Sequence, residues 1–254
     1  MLEAIIFDLD DTLYAYEPLD KKARANVEKF TCESLGISAE KYQEAYRFGR
    51  EETKKRLSEV GAGHNRLLYC QKTLEYLGVS PMPLSLQMYE QFWGTFLREM
   101  KVFSGVKELF SLLKEKGIPI VICTDLTAHV QHRKIEALGI AQDIKYLVSS
   151  EEAGREKPAR EMFDLCLEKL NLSPEHIWYV GDSFKKDVEG AMNAGMQAVW
   201  FHPQRNASLQ VEEADRQIRI NAVRSIGEKG VAYLEVSDYI ELTNLVLEAF
   251  KIKN

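Results

Sequence analysis

The sequence predicts an α/β protein: a doubly wound parallel sheet interrupted by an all-helical insert. Three observations carry that prediction. Short apolar runs ending in acidic or hydroxyl residues recur along the chain, helical periodicity separates the later ones, and residues 18–100 show helical periodicity with no strand. When strands and helices alternate, each crossover helix returns the chain to the same edge, so the strands pair in parallel and both faces of the sheet are covered.

Taken in order, Ala4-Ile5-Ile6-Phe7 is apolar throughout, as a strand buried on both faces must be, and it ends at Asp8-Leu9-Asp10-Asp11-Thr12. The insert from Pro18 to Met100 breaks at Gly36, Gly61 to Gly63, Gly78, and Pro81 with Pro83, which divides it into four or so helices. Val106, Leu109, Phe110 and Leu113 then repeat at helix spacing. A strand over Ile118–Cys123 follows, then a helix bearing Ile135 and Leu138 and a strand at Tyr146–Val148. Met162, Phe163, Leu165, Cys166 and Leu170 mark the next helix, and Ile177–Val180 and Ala198–Phe201 are further strands. Within the polar stretch from His202 to Gly230 a solvated helix is expected over Val211–Arg219. Val231–Val236 reads as a last strand and Asp238–Phe250 as a closing helix. There is no internal repeat and no low-complexity tract.

Composition bounds the function. The chain has 254 residues, 45% hydrophobic and 28% charged, so it can bury a sizeable core and is neither disordered nor fibrous. A formal net charge of -6 opposes a sequence-independent attraction to phosphate backbones or anionic lipid, so neither a nucleic acid nor a membrane is the expected partner. No apolar run is long enough to span a bilayer, and Glu3, Asp8, Asp10 and Asp11 stand where a signal peptide would be uncharged. Cys32, Cys70, Cys123 and Cys166 have no metal-ligand spacing and read as free thiols in a reducing cytoplasm.

The chemistry-bearing residues fall at strand ends. Ligands of open parallel sheets bind outside the carboxyl ends of the strands, so these positions mark one cleft. Thr124 and Asp125 follow one apolar strand, Gly181, Asp182 and Ser183 another with Asp187 close behind, and Gly154-Arg155-Glu156-Lys157-Pro158 precedes a helix.

This set resembles the haloacid dehalogenase superfamily of phosphohydrolases, whose core is Rossmann-like and whose helical cap occupies the position of the insert. The Asp-x-Asp-x-Thr motif stands as Asp8, Asp10 and Thr12; the second-motif hydroxyl as Thr124; the lysine as Lys157; and the Gly-Asp-Ser motif with its further Asp as Gly181, Asp182, Ser183 and Asp187. The resemblance divides the chain into a catalytic core, residues 1–14 and 101–254, and a cap, residues 15–100.

It implies Mg²⁺-dependent hydrolysis of a small soluble phosphomonoester, such as a sugar phosphate or nucleotide, through an aspartyl phosphate. Asp8 is then the nucleophile, and Asp10 protonates the leaving oxygen and later activates water. Thr12, Thr124, Asp125 and Lys157 bind the substrate. The metal is held by Asp8, Asp182, Asp187 and the backbone carbonyl of Asp10. A cation is needed because two carboxylates about 4 Å apart repel by roughly 4 kcal/mol at an effective dielectric of 20, and the all-oxygen donor set suits Mg²⁺ better than zinc.

Other outcomes on this pattern are a phosphomutase or phosphotransferase, which keeps Asp10, a phospho-receiver module, and a catalytically silent binding protein. A dehalogenase needs no acid at the second Asp position, and a receiver has no use for the insert. Asp125 departs from the family, which often has Asn or a small residue there; an extra carboxylate would repel strongly anionic groups or contact a hydroxyl or amine.

In the insert, Arg47, Arg50 and Lys54 share one helix face and could meet a second anionic group, although a solvated charged face is the plainer expectation. Trp93 and Phe96 are expected to pack the insert, with an aromatic substrate wall as the other option. The five histidines form no ligand constellation. Hinges of a cap that opens and closes are expected near Tyr14–Leu19 and Lys101–Gly105.

Overall fold

In the computed structural model, which describes residues 2–203, 225–226 and 232–251, seven strands form one sheet. They are β1 (Ala4–Phe7), β2 (Ile120–Thr124), β3 (Ile144–Ser149), β4 (Ile177–Gly181), β5 (Gln197–Phe201), β6 (Ser225–Ile226) and β7 (Ala232–Val236). Their order is β3-β2-β1-β4-β5-β7-β6, all parallel except the β6–β7 pair. The predicted doubly wound α/β core is therefore present. The chain moves outward from β1 in one direction through β2 and β3, then returns to β1's other side at β4. That reversal makes the β1/β4 edge the topological switch point, where parallel sheets bind ligands.

Successive strand residues face opposite sides, and this separates the core into two layers. Ile5, Phe7, Ile120, Ile122 and Val180 pack on one face. Ala4, Ile6, Val121, Cys123 and Tyr179 pack on the other. The first face is covered by α5 (Val106–Glu115), α6 (Ala128–Leu138) and α10 (Tyr239–Lys251); the second by α8 (Arg160–Leu170) and α9 (Glu189–Asn193). A short α7 spans Ser150–Ala153.

The insert folds into four helices: α1 (Tyr16–Leu35), α2 (Ala39–Arg56), α3 (Arg66–Tyr76) and α4 (Leu84–Arg98). Their boundaries have local causes. α1 ends at Gly36, which holds the left-handed φ of 62°. The Ser38 and Asn65 side chains accept backbone N–H bonds from Lys41 and Leu67 at the starts of α2 and α3. Val27, Tyr42, Leu74, Phe92 and Phe96 of these helices join the same apolar cluster as β1 and α5. The cap is thus packed onto the core through shared apolar surface. Its two connections run side by side, with the Phe103 N–H donating to the Leu13 carbonyl at 2.8 Å.

Strand boundaries shift where side chains count for less than ladder bonds. β2 begins at Ile120 and runs on to Thr124, so the hydroxyl belongs to the strand itself. β3 is twice the predicted length, and residues 184–193 form a π-helical turn followed by α9 where no marked apolar period exists. The expected helix at Val211–Arg219 lies outside the described residues. No helix among the described residues is long and apolar enough to cross a membrane, and all four cysteines are free thiols, three of them buried.

Candidate active site

The register of the sheet assembles the site. Phe7 pairs with Ile122 on one side and Val180 on the other, so Asp8, Cys123 and Gly181 stand at one level at the carboxyl ends of three adjacent strands. Thr124 lies one step beyond. These strand ends open into a cavity of about 620 Å³ roofed by the cap, a volume ordinary for a small-metabolite site.

Lys157 sits at its floor, buried with Asp8 and Asp187. Its ammonium lies 2.6 Å from Asp8 Oδ1 and 2.7 Å from Asp187 Oδ1, and 3.2 Å from both the Cys123 carbonyl and the Tyr179 hydroxyl. Burial works against this charge, but the Asp187 and Asp8 carboxylates outweigh it and hold Lys157 well above its ordinary pKa. Asp8 is also pushed up, first by burial and then, against the pull of Lys157, by its carboxylate neighbours. Asp182 rises to about 6, by burial and the nearby Asp187 and Asp11.

Asp8, Asp182 and Asp187 offer carboxylate oxygens all within 4.8 Å of one another. A crowded, all-oxygen set in which Asp8 and Asp182 are pushed up is what a hard divalent cation relieves, so the residues fit Mg²⁺. Their availability differs. Asp187 spends Oδ1 on Lys157 and Tyr179, and Oδ2 on the Ser183 N–H at 3.0 Å. Asp182 keeps its carboxylate nearly free, touched among the described residues only by the Thr12 hydroxyl at 3.4 Å. Gly181 is required beneath this cluster, because a Cβ there would lie 2.4 Å from the Asp187 side chain.

Thr12 differs from its predicted place. It is fully buried and does not line the cavity. Its hydroxyl accepts from the Asp182 N–H at 3.1 Å and sits 3.3 Å from Asp8 Oδ2, so it ties β1's end to β4's rather than facing a substrate.

Asp125 corrects the repulsion expected of an extra carboxylate. Its Oδ1 accepts from the Lys157 N–H at 2.9 Å and its Oδ2 from the Lys186 ammonium at 2.6 Å. The charge is paired internally, and it fastens the end of β2 to the Lys157 loop. Thr124 faces the cavity, with its hydroxyl oriented by Gln131 Nε2 at 2.8 Å.

The side chain of Asp10 points away from the Asp8–Asp182–Asp187 group. Its Oδ1 accepts from the Tyr14 hydroxyl at 2.5 Å, and both of its oxygens lie 2.8 Å from the Lys134 ammonium. Lys134 is fully buried, and its ammonium lies 5.4–5.7 Å from the ring centroids of Tyr16, Trp93 and Phe96. Sequence reasoning missed this lysine. Its only signal is a cation three positions after Gln131 on a face where Val130, Ile135 and Leu138 demand burial.

Trp93 and Phe96 pack the cap and line no part of the cavity, which removes the substrate-wall option. Arg47, Arg50 and Lys54 all face the cavity. So does His64, whose Nε2 is 3.0 Å from Glu156 across the cap–core boundary. Among the described residues no histidine joins a metal-ligating group.

A doubly wound sheet with an acid cluster and buried lysine at its switch point, under a helical cap, defines a capped α/β hydrolase. Residues 2–195 match the haloacid dehalogenase-like hydrolases, and the chain belongs to that family. It is 36% identical over 219 residues to a ribulose-1,5-bisphosphate 5-phosphatase of Halopiger xanaduensis, covering 85% of this chain and 91% of that one. It is 33% identical over 201 residues to a glyceraldehyde 3-phosphate phosphatase of Methanopyrus kandleri, covering 78% and 83%. A 2-haloacid dehalogenase from Pseudomonas syringae superposes with a TM-score of 0.72 at 21% identity, over 98% of this chain and 100% of that one, which is a likeness of fold.

Proposed function

We propose that the protein is a Mg²⁺-dependent phosphomonoesterase acting on a small phosphorylated sugar or polyol in the cytoplasm, with a core of residues 1–14 and 101–254 and a cap of residues 15–100. The observation that carries this reading is the placement of Asp8 against Lys157 at 2.6 Å, with a second acid, Asp10, held two residues on. The phosphatases named above act on phosphorylated three- and five-carbon sugars, which supports the substrate class.

In this reading a carboxylate oxygen of Asp8 attacks phosphorus as the bond to the leaving oxygen breaks, and the Asp10 proton passes to that oxygen. Asp10 then takes a proton from water, whose oxygen attacks the acyl phosphate and frees Asp8 and inorganic phosphate. Thr124 and Lys157 hold the non-transferring oxygens. Asp8, Asp182 and the Asp10 carbonyl hold the metal, with Asp187 steadying Lys157 and the Gly181–Ser183 turn. When bound, the cation supplies positive charge against the phosphoryl oxygens.

The test is phosphate release from a panel of sugar phosphates and p-nitrophenyl phosphate. EDTA should abolish turnover and Mg²⁺ restore it. Isomerised product without free phosphate would instead make the protein a mutase, and full activity in metal-free buffer would overturn the metal assignment.

A further inference from the structure

The cavity is segregated by charge. Its core-side floor carries six aspartates against Lys157 and Lys186, whereas its cap-side roof carries five basic side chains against Asp20 and Glu28. Two of the roof cations are committed: Arg24 lies 2.7 Å from Asp20, and Arg66 bonds the same carboxylate and the His64 carbonyl. Arg47, Arg50 and Lys54 remain, and among the described residues none of them has a carboxylate within 4.0 Å.

Their position follows from helix geometry. Residues 47, 50 and 54 fall at i, i+3 and i+7 of α2, a stripe roughly 10 Å long on one face. The opposite face is fixed by Gly49, where a Cβ would meet the Tyr69 carbonyl of α3 at 2.7 Å, so α2 lies close on α3 and the basic stripe is turned to the cavity. Burial, then the neighbouring Arg50 and Arg66 charges, push the pKa of Lys54 below its ordinary value. Arg47 and Arg50 are exposed at the cavity wall and Lys54 is half-buried, so the stripe is open to an incoming anion opposite the acidic floor.

A singly phosphorylated, otherwise neutral sugar satisfies the floor alone. We infer that Arg50, flanked by Arg47 and Lys54, forms a second phosphate subsite in the cap, so that the preferred substrates are small sugar bisphosphates, with one phosphate hydrolysed at Asp8 and the other held by α2. A phosphate dianion matches this group better than a carboxylate, since it offers three acceptor oxygens to a guanidinium fork and two flanking cations. The inference rests on the phosphatase reading, and it assigns specificity to α2 while leaving the chemistry in the core.

The test compares a pentose bisphosphate, the corresponding monophosphate, a phosphorylated sugar acid of equal length and p-nitrophenyl phosphate, with Arg50→Gln and the triple variant Arg47→Gln/Arg50→Gln/Lys54→Gln. The wild type should favour the bisphosphate over the monophosphate by about tenfold or more in kcat/KM. Arg50→Gln should lower kcat/KM for the bisphosphate by about ten- to hundredfold, mainly through KM, with a loss for the monophosphate at least tenfold smaller. Equal losses on both esters, or a wild type indifferent to the second phosphate, would overturn the subsite; preference for the sugar acid would replace phosphate by carboxylate and overturn the assignment as stated. Failure to hydrolyse even p-nitrophenyl phosphate would instead refute the phosphatase reading. Calorimetric titration of the Mg²⁺-loaded Asp8→Asn protein still reads the subsite in that case: bisphosphate binding no tighter than monophosphate would sink it independently.

Discussion

Asp8 is set up for attack on phosphorus by a buried ammonium at 2.6 Å, and among the described residues the Thr12 hydroxyl is the one side-chain donor to its second oxygen. Asp8→Asn keeps the shape and a partner for Lys157 but cannot form an acyl phosphate. Turnover should drop by roughly three powers of ten or more with an unchanged circular dichroism spectrum. Labelled phosphate trapped on another residue would contradict the assignment. Lys134 makes a finer prediction. Its ammonium holds both oxygens of Asp10, so Lys134→Met keeps the buried stem but frees the acid to rotate. An acid that donates to the leaving oxygen matters most when that oxygen leaves reluctantly. The variant should therefore lose about tenfold or more in kcat on alkyl phosphates and far less on p-nitrophenyl phosphate. Equal losses on both would show that Lys134 is structural only.

At the scale of elements, the pairing of α2 with α3 decides where the cap's charges point. Gly49 permits it, since the atoms a Cβ would meet are the Tyr69 carbonyl and the Thr73 N–H, backbone groups that cannot swing aside. Alanine would gain about 1 kcal/mol in helix propensity, yet overpacking against rigid backbone costs about 1–3 kcal/mol or more. The net effect of Gly49→Ala is a fall of a few degrees in Tm, read by calorimetry; a rise would mean that α2 and α3 separate freely. The two cap connections are joined through Phe103 and Leu13, and the far side of the cap is held to the core by His64 with Glu156 and by Glu59 with Arg155. We propose that cap opening breaks this far contact while the paired connections act as the hinge.

For the whole molecule, the acid cluster links stability to pH and to metal. A carboxyl whose pKa is raised by folding binds its proton more tightly in the folded state, so its stabilisation is complete below the unfolded value of about 3.9 and is lost as pH rises through the folded value. For Asp182 that window closes at about 6, and Asp8 acts in the same direction. Metal-free protein should therefore lose stability from about pH 4 to 6. Mg²⁺ binds the ionised carboxylates, so its stabilisation, about 2.7 kcal/mol at a hundredfold excess over Kd, should be larger at pH 7.5 than at pH 5. Asp182→Asn should flatten the slope, raise metal-free stability at pH 7.5 and abolish most of the Mg²⁺ response. Melting curves in EDTA and in Mg²⁺ across this range decide it; an identical slope and metal response in the variant would exclude Asp182 as their source.

The sequence by itself determined the order and type of the main core strands and cap helices and the residues that meet at the strand ends. β1, β2, β4 and β5, the four cap helices, and the convergence of Asp8, Thr124, Lys157 and Asp182 were legible because burial period, capping residues and strand-end chemistry are local in the chain. The tertiary structure alone decided which charges are spent and which are free. Asp125 looked like an open carboxylate until Lys186, 61 residues on, was seen to pair with it. Lys134 drew no notice in the sequence, because its partner Asp10 lies 124 residues earlier. Arg47, Arg50 and Lys54 form the largely exposed stripe the sequence led one to expect, and the close packing of α2 on α3 decides that it faces the acid cluster. The physical reason is common to all three. A charge is satisfied or left unsatisfied by neighbours brought to within about 4 Å, and for these groups only the folded chain sets that distance, by the packing of segments remote in sequence.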